Sequence, residues 1–272
     1  MYRCDSHMHT HLSFDGHPAA TVEAICQTAL ARGLDEITIT DHCDINGEVE
    51  AIYAHYEMEQ ARAELMAARE AYAGRLIVNW GVELGQPHQY PREAAALIEA
   101  GGFDFVLGSL HNLTGVPDFS FLCYDEMPDA LMHQLFSRAL DEAVQVVRFP
   151  GIHALAHLTY PLRYMAKAGR SFDLTPHIPA IEGLFAEMIA RGVDLEVNFS
   201  TLRTGLGFAM PDEPVLRLWM AAGRERVTLG SDAHNPADVA GGLDDALALL
   251  RRCGITKTVT YRGGVPHVHS ID

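Results

Sequence analysis

The sequence has no C-x-x-C pair, and its cysteine total is odd: Cys4, Cys26, Cys43, Cys123 and Cys253. Neither a disulfide framework nor a zinc-ribbon site is suggested, and a reducing cytoplasm fits. No apolar run approaches the ~20 residues of a membrane span. The N-terminus also lacks a basic-then-apolar leader, so a soluble cytoplasmic protein without membrane contact is expected. No Pro/Ser-rich or low-complexity stretch supplies a linker. With 272 residues, 48% of them apolar and 21% charged, a single domain over 1–272 is expected. Basic residues are scarce: 20 against 36 acidic ones leave a net charge of -16. Such a chain repels a polyphosphate backbone, which disfavours extended nucleic acid as a partner.

Histidine, by contrast, is abundant at 15 residues, and bound divalent ions would offset part of the acidity. His7 and His9 lie two apart in an extended run, so both imidazoles leave one face of a strand as a ready pair of metal ligands. Taken alone, such a pair also occurs on ordinary exposed strands. The same event recurs along the chain, however. Asp15 follows in a loop, where it also reads as a plain turn residue beside Gly16. A helix over about 19–32 closes at Gly33. The β-branched strand Glu36-Ile37-Thr38-Ile39-Thr40 runs into Asp41-His42. An amphipathic helix over about 53–73 carries His55 on its solvated face. The strand 76–82 delivers Glu83, a carboxylate that burial makes costly unless a cation or salt bridge holds it; a cation is favoured, because two carboxylate oxygens can bridge two metal ions.

The strand 103–107 leads to His111 and then to a long loop, 112–127, whose aromatic residues either contact substrate or pack the loop onto the fold. The strand 152–157 ends in His157, while His153, nearer its start, reads as a structural histidine. A loop over 159–164 places Arg163 beside it. The strand 193–198 offers no metal ligand but opens onto Arg203. Paired guanidinium groups match phosphate oxygens, although two unrelated surface arginines would look the same without a metal cluster. The strand 226–230 leads to Asp232 and His234, again two apart. A helix over 236–252 and an edge strand over 256–261 follow, and His267 and His269 read as a mobile tail.

Seven alternations of strand and helix imply parallel strands with crossover helices, in a closed barrel or a doubly wound sheet. In either, the C-terminal strand ends share the face that carries an active site. His7, His9, Asp41, His42, Glu83, His111, His157, Asp232 and His234 all fall at such ends.

These motifs, His7-Met8-His9, Thr40-Asp41-His42, Gly81-Val82-Glu83, Gly108-Ser109-Leu110-His111, His157 and Gly230-Ser231-Asp232-Ala233-His234, resemble the PHP (polymerase and histidinol phosphatase) family over almost the whole chain. The resemblance implies an α/β fold, a distorted seven-stranded (β/α) barrel of the PHP type, with a trinuclear metal site. It places one cation at His7, His9, Glu83 and Asp232, a second at Glu83, His111 and His157, and a third at Asp15, His42 and His234, where some relatives have His in place of Asp15. Asp41 is implied to orient a neighbouring histidine. Zinc, manganese and iron all suit such mixed sites, so two to three divalent ions of unnamed element are expected.

Chain length and the two arginines resemble the monofunctional histidinol-phosphate phosphatases within the family, with Arg163 and Arg203 as phosphate binders. The implied reaction is hydrolysis of L-histidinol phosphate in histidine biosynthesis, by a metal-bridging hydroxide, with Asp232 or His234 shuttling the proton. A phosphoesterase for nucleotides or another small phosphate ester is the alternative enzyme. A non-catalytic metal-binding domain is the alternative outside enzymology.

Overall fold

The short β-branched strands named above pair in parallel because a helix returns the chain between them. A computed structural model describes residues 1–45 and 56–272. Its strands are β1 (Cys4–Asp5), β2 (Glu36–Ile39), β3 (His42–Asp44), β4 (Ile77–Gly85), β5 (Phe105–Ser109), β6 (Ala154–Leu155), β7 (Asp194–Asn198), β8 (Arg226–Gly230), β9 (Lys257–Arg262) and β10 (Val265–Ser270). They form one sheet in the order β1-β2-β4-β5-β6-β7-β8-β9-β10, with β3 beside β4, and every pairing except β9 with β10 is parallel.

The two ends of this sheet meet. From the end of β8 onward, Ser6 N–H donates to Leu229 O (2.7 Å), Asp232 N–H to His7 O (2.8 Å) and His9 N–H to Ala233 O (2.8 Å), and Met8 bridges Ala233 in parallel. The ring β1, β2, β4, β5, β6, β7, β8 is therefore the expected seven-stranded (β/α) barrel. Closure occurs at the C-terminal end. At the opposite end β9 takes the free edge of β8, with Arg226 opposite Lys257, and this insertion distorts the ring.

Helices α1 (Val22–Ala31), α2 (Met58–Ala71), α3 (Pro91–Gly101), α4 (Asp129–Arg148), α5 (Tyr160–Lys167), α6 (Ile178–Arg191), α7 (Ser200–Arg203), α8 (Glu213–Ala221) and α9 (Leu243–Cys253) complete the chain. One face of each strand buries apolar residues such as Ile37, Val78, Val106, Leu195 and Leu229 in the core shared with the helices. The alternate face points into the barrel. There Phe105, Leu107, Ala154, Ala156, Val259 and Tyr261 form a second, small apolar cluster, and other inward positions are polar, such as Glu83 and Glu196, or glycine, such as Gly81 and Gly230.

Several sequence-based expectations are corrected. The loop expected over 159–164 is the start of α5, which Pro161 suits as a first-turn residue. The helix α8 was not anticipated. The helix expected over 236–252 divides into a 3-10 turn at Pro236–Asp238 and α9, because Gly242 turns the chain at φ 98°. α1 starts only at Val22, where the Thr21 side chain accepts the Ala24 N–H as its cap. The expectations for His55 and for the start of the helix at 53 lie outside the described residues; the described helix starts at Met58.

The largest correction concerns the C-terminus, which is not a mobile tail. Gly263 and Gly264, at φ 56° and 75°, make a two-residue hairpin turn. β10 thereby returns on β9, placing His267 and His269 in a strand; the His269 ring stacks on Tyr2 at 3.8 Å and its Nε2 lies 3.0 Å from Thr260 Oγ1. The hairpin plugs the barrel bottom. Tyr261 donates to Asp194 (2.6 Å), and Arg262 bonds the buried carboxylate of Glu36 at 2.5 and 3.1 Å, joined there by Tyr2 and Asn79. His153 is structural, as expected: its Nδ1 accepts the Val106 N–H (2.8 Å).

Burial alone would raise the Glu36 carboxyl, but hydrogen bonds from Arg262, Tyr2 and Asn79 hold it below its ordinary value. A depressed carboxyl contributes stability that is complete above the unfolded pKa of about 4.3 and is lost as pH falls through the folded value. Arg262→Ala should therefore lower unfolding free energy by about 2 kcal/mol at pH 7, a low figure for a buried pair because Arg262 reaches solvent. In urea titrations the deficit should shrink below about pH 4; a deficit independent of pH would place its origin outside the Glu36 pair.

Candidate metal centre

Closure of the ring at its C-terminal end brings the strand ends together, and with them the donors scattered through the sequence. Glu83, at the far end of β4, is the hub. Its Oε1 lies 3.0 Å from His111 Nε2 and 2.9 Å from His157 Nε2, and its Oε2 lies 3.2 Å from His7 Nε2, 3.5 Å from His9 Nε2 and 3.0 Å from His42 Nδ1. Asp232 Oδ1 completes the first of the expected sets, 3.7 Å from His7 Nε2 and 3.4 Å from His9 Nε2. Asp15 faces His42 (3.7 Å) and His234 (3.1 Å), the third set. Grouped by proximity alone, the donors fall as His7, His9 and Asp232; His42, Glu83 and His111; and His9, His42 and His234. His42 thus stands between two groups, its Nδ1 toward Glu83 and its Nε2 toward Asp15.

The donors are held from behind. Asp41 does not touch an imidazole directly: it accepts from Thr10 N–H (2.6 Å), Thr10 Oγ1 (2.9 Å) and Ser13 Oγ (3.1 Å), and Ser13 Oγ in turn meets His9 Nδ1 at 3.1 Å. Sequence reasoning missed the two carboxylates that do touch rings. Asp44 Oδ1 lies 2.9 Å from His111 Nδ1 and also accepts from Gln86 (2.9 Å). Glu196 Oε1 lies 2.6 Å from His7 Nδ1. Both had a legible signal: Asp44 stands two after His42, and Glu196 sits with Asp194 and Asn198 on the inward face of an alternating, fully buried strand, where charge needs a partner. His157 and Asp232 sit at φ 22° and 53°, conformations that side chains other than glycine rarely take and that cluster at functional sites.

Electrostatics follow from this packing. Burial resists charge on His7, yet Glu196 and Glu83 hold its imidazole well above the ordinary value. Burial likewise opposes His42, which Glu83, Asp15 and Asp44 push up to about 9. His9 is instead lowered to about 3, by burial and by repulsion from His234 and His42. Glu83, despite burial, is held well below the usual carboxylate range by His7, His42 and His111.

A cavity of about 260 Å³ opens above the donors, and Arg163 and Arg203 line it together with Tyr160 and Tyr164 of α5. Arg163 Nη1 lies 3.7 Å from Asp232 Oδ2, and its buried Nε has no hydrogen-bond partner among the described residues. Arg203 is already engaged, donating to the carbonyls of Ser231 and Asp232 and lying 3.4 Å from Asp238. Two aromatic residues of the 112–127 segment pack rather than line the cavity, and the third, Phe121, is exposed: Phe119 is buried against the edge of Tyr160, and Tyr124 stacks on Tyr164 while donating to Phe119 O (3.1 Å).

The donor set suits divalent cations on internal grounds. Among the described residues, Glu83 Oε2, His42 Nδ1 and His234 Nε2 are buried and meet their neighbours at ion-pair distance without hydrogen-bond geometry, a cost that a cation at those atoms removes.

Fold and donors together define the class: a (β/α) barrel with imidazole and carboxylate groups that could hold metal ions at the C-terminal strand ends. The chain belongs to the PHP domain family, whose model matches residues 5–200. It is 29% identical over 267 residues to a probable histidinol-phosphatase of Deinococcus radiodurans, covering 95% of this chain and 96% of that one. It is 27% identical over 254 residues, 91% of each chain, to a probable histidinol-phosphatase of Thermotoga maritima. Its fold is similar, at a TM-score of 0.77 and 20% identity over 97% of this chain and 98% of the other, to the crystal structure of a Lactococcus lactis histidinol phosphate phosphatase complexed with zinc, L-histidinol and phosphate.

Stripping divalent ions with a chelator should lower the melting temperature, and zinc returned at a hundred times its dissociation constant should restore about 2.7 kcal/mol per site. A melting curve indifferent to both treatments would contradict the metal centre.

Proposed function

We propose that the chain, acting as one PHP unit over residues 1–272, is a metal-dependent phosphomonoesterase that hydrolyses L-histidinol phosphate to L-histidinol and phosphate in histidine biosynthesis. The observation that carries this reading is the juxtaposition, in one cavity, of the Glu83-centred imidazole and carboxylate cluster with two arginines. The names of the Deinococcus and Thermotoga relatives and the ligands of the Lactococcus structure support the choice of substrate.

His7, His9, Glu83 and Asp232 would hold one cation, Glu83, His111 and His157 a second, and Asp15, His42 and His234 a third; zinc is the leading element, with manganese and iron chemically suited. Bound there, such ions acidify water and draw charge from phosphoryl oxygens. The remaining work falls to the protein. Arg163, with its unsatisfied Nε and an aromatic wall behind it, is the freer guanidinium for clamping phosphate. Arg203 adds positive charge while fixing the Ser231-Asp232 turn through its two carbonyl contacts. Asp232 and His234 line the cavity where the leaving alkoxide would need a proton, and His234, more than a quarter exposed, is the better placed to exchange one with solvent.

A reaction on nucleoside monophosphates or another small phosphate ester is the competing reading, since the cluster and the arginines recognise phosphate rather than its leaving group. Among the described residues no helix is long and apolar enough to cross a membrane, and a cytoplasmic setting fits the free cysteines.

Initial rates of phosphate release from L-histidinol phosphate should exceed those from nucleoside monophosphates and other phosphomonoesters, on protein assayed for zinc, manganese and iron. A preference elsewhere at full metal content would keep the phosphoesterase and discard the histidine-pathway substrate. Arg163→Ala should lower kcat/KM by about a hundredfold with metal content intact. Arg203→Ala should lower it similarly and also loosen metal retention, because the Asp232 turn loses its clamp. Wild-type kinetics in both variants would remove the arginines from the phosphate site.

A further inference from the structure

We propose that Glu196 is a positioning residue that sets ligands of two cation positions at once, His7 through its ring and His157 through its backbone. The inference rests on the reading of the metal centre above and adds to it a strand, β7, that contributes no ligand.

Three observations converge on this carboxylate, which is fully buried inside the barrel one level below the cluster. Its Oε1 lies 2.6 Å from His7 Nδ1, and its Oε2 accepts the N–H of His157 at 2.8 Å. A carboxylate only accepts, so the Nδ1 of His7 carries the proton that meets Glu196, and Nε2, on the side of Glu83 Oε2 (3.2 Å) and His9 Nε2 (3.0 Å), is the nitrogen left to turn its lone pair to a cation bound there. The second observation is the backbone of His157, at φ 22°: such a conformation persists only where surrounding groups hold it, and the bond to Glu196 does so. The third is Gly230 on the neighbouring β8. A Cβ there would lie 2.3 Å from Glu196 Oε1 and 2.5 Å from His7 Cβ, so the absence of a side chain at this position is what admits the pair.

Because His7 belongs to the first donor set and His157 to the second, and Glu83 is common to both, a single residue behind the site holds the geometry on either side of the shared carboxylate. Glutamine cannot substitute. It has one acceptor oxygen, so either the His7 ring or the His157 N–H would face an amide donor instead.

The test uses full-length wild type, Glu196→Gln and Glu196→Asp, with zinc as the probe in competition against a chromophoric chelator. In both variants the two sites that share Glu83 should weaken tenfold to a hundredfold, while the site at Asp15 and His234 stays within about twofold of wild type and the metal-free melting temperature changes little. Wild-type zinc affinity in both variants would overturn the proposal. Equal weakening of every site in step with a fall in metal-free stability would overturn it too, since that marks a purely structural role. Should neither variant fold, nitrogen-15 spectra of the zinc-loaded wild type decide: His7 protonated at Nδ1 supports the assignment, and protonation at Nε2 overturns it. Wild type that takes up no zinc overturns this proposal together with the metal centre. Zinc-loaded protein inactive on L-histidinol phosphate leaves the positioning role intact and removes only the substrate.

Discussion

A fully buried carboxylate ringed by imidazoles is the constraint on which the rest of this molecule depends. Glu83 is withdrawn from water at the end of a central strand, a placement that is costly unless positive charge surrounds it. His7, His42 and His111 supply that charge, and His157 joins them around the carboxylate, each with a ring nitrogen within about 3.2 Å of one of its oxygens. The same arrangement that resolves the cost in the protein alone offers lone pairs to divalent cations, so one packing requirement serves both stability and chemistry.

The imidazoles must in turn be aimed, and the barrel interior does this with acids placed beneath them. Glu196 under His7, Asp44 under His111, and Asp41 acting through Ser13 on His9 form a buried layer of acceptors. Such a layer explains why the inward faces of the strands are polar, while the apolar filling of the barrel is a small cluster. Lower still, Asp194 and Glu36 are met by Tyr261 and Arg262 of the C-terminal hairpin. The hairpin closes the barrel where the strands themselves do not.

Much of this was readable in residue order. Short β-branched strands alternating with amphipathic helices, nearly every one of those strands ending in a ligand-type residue, imply a parallel α/β fold with its chemistry on one face. His153 was separable from His157 by its position in the strand. Local signals failed where the partner was remote. The Gly263-Gly264 turn is a hairpin signal whose meaning depends on β9 finding the free edge of β8, and α5 looked like a loop because its short helix draws its stability from packing. Glu196 and Asp44 were passed over because an acid beside an apolar residue does not reveal which imidazole lies across the barrel.

What the sequence determined by itself is the period of the strands and helices, the family resemblance and the inventory of donors, because these rest on spacing and chemistry along the chain. Tertiary structure alone decided the closure of β8 onto β1, the plug formed by β9 and β10, the packing of Phe119 and Tyr124 against α5, and the pairing of each acid with its histidine. Those depend on contacts between residues far apart in sequence, such as His7 with Glu196 and Glu36 with Arg262. Linear spacing carries no record of such distances until the chain is folded.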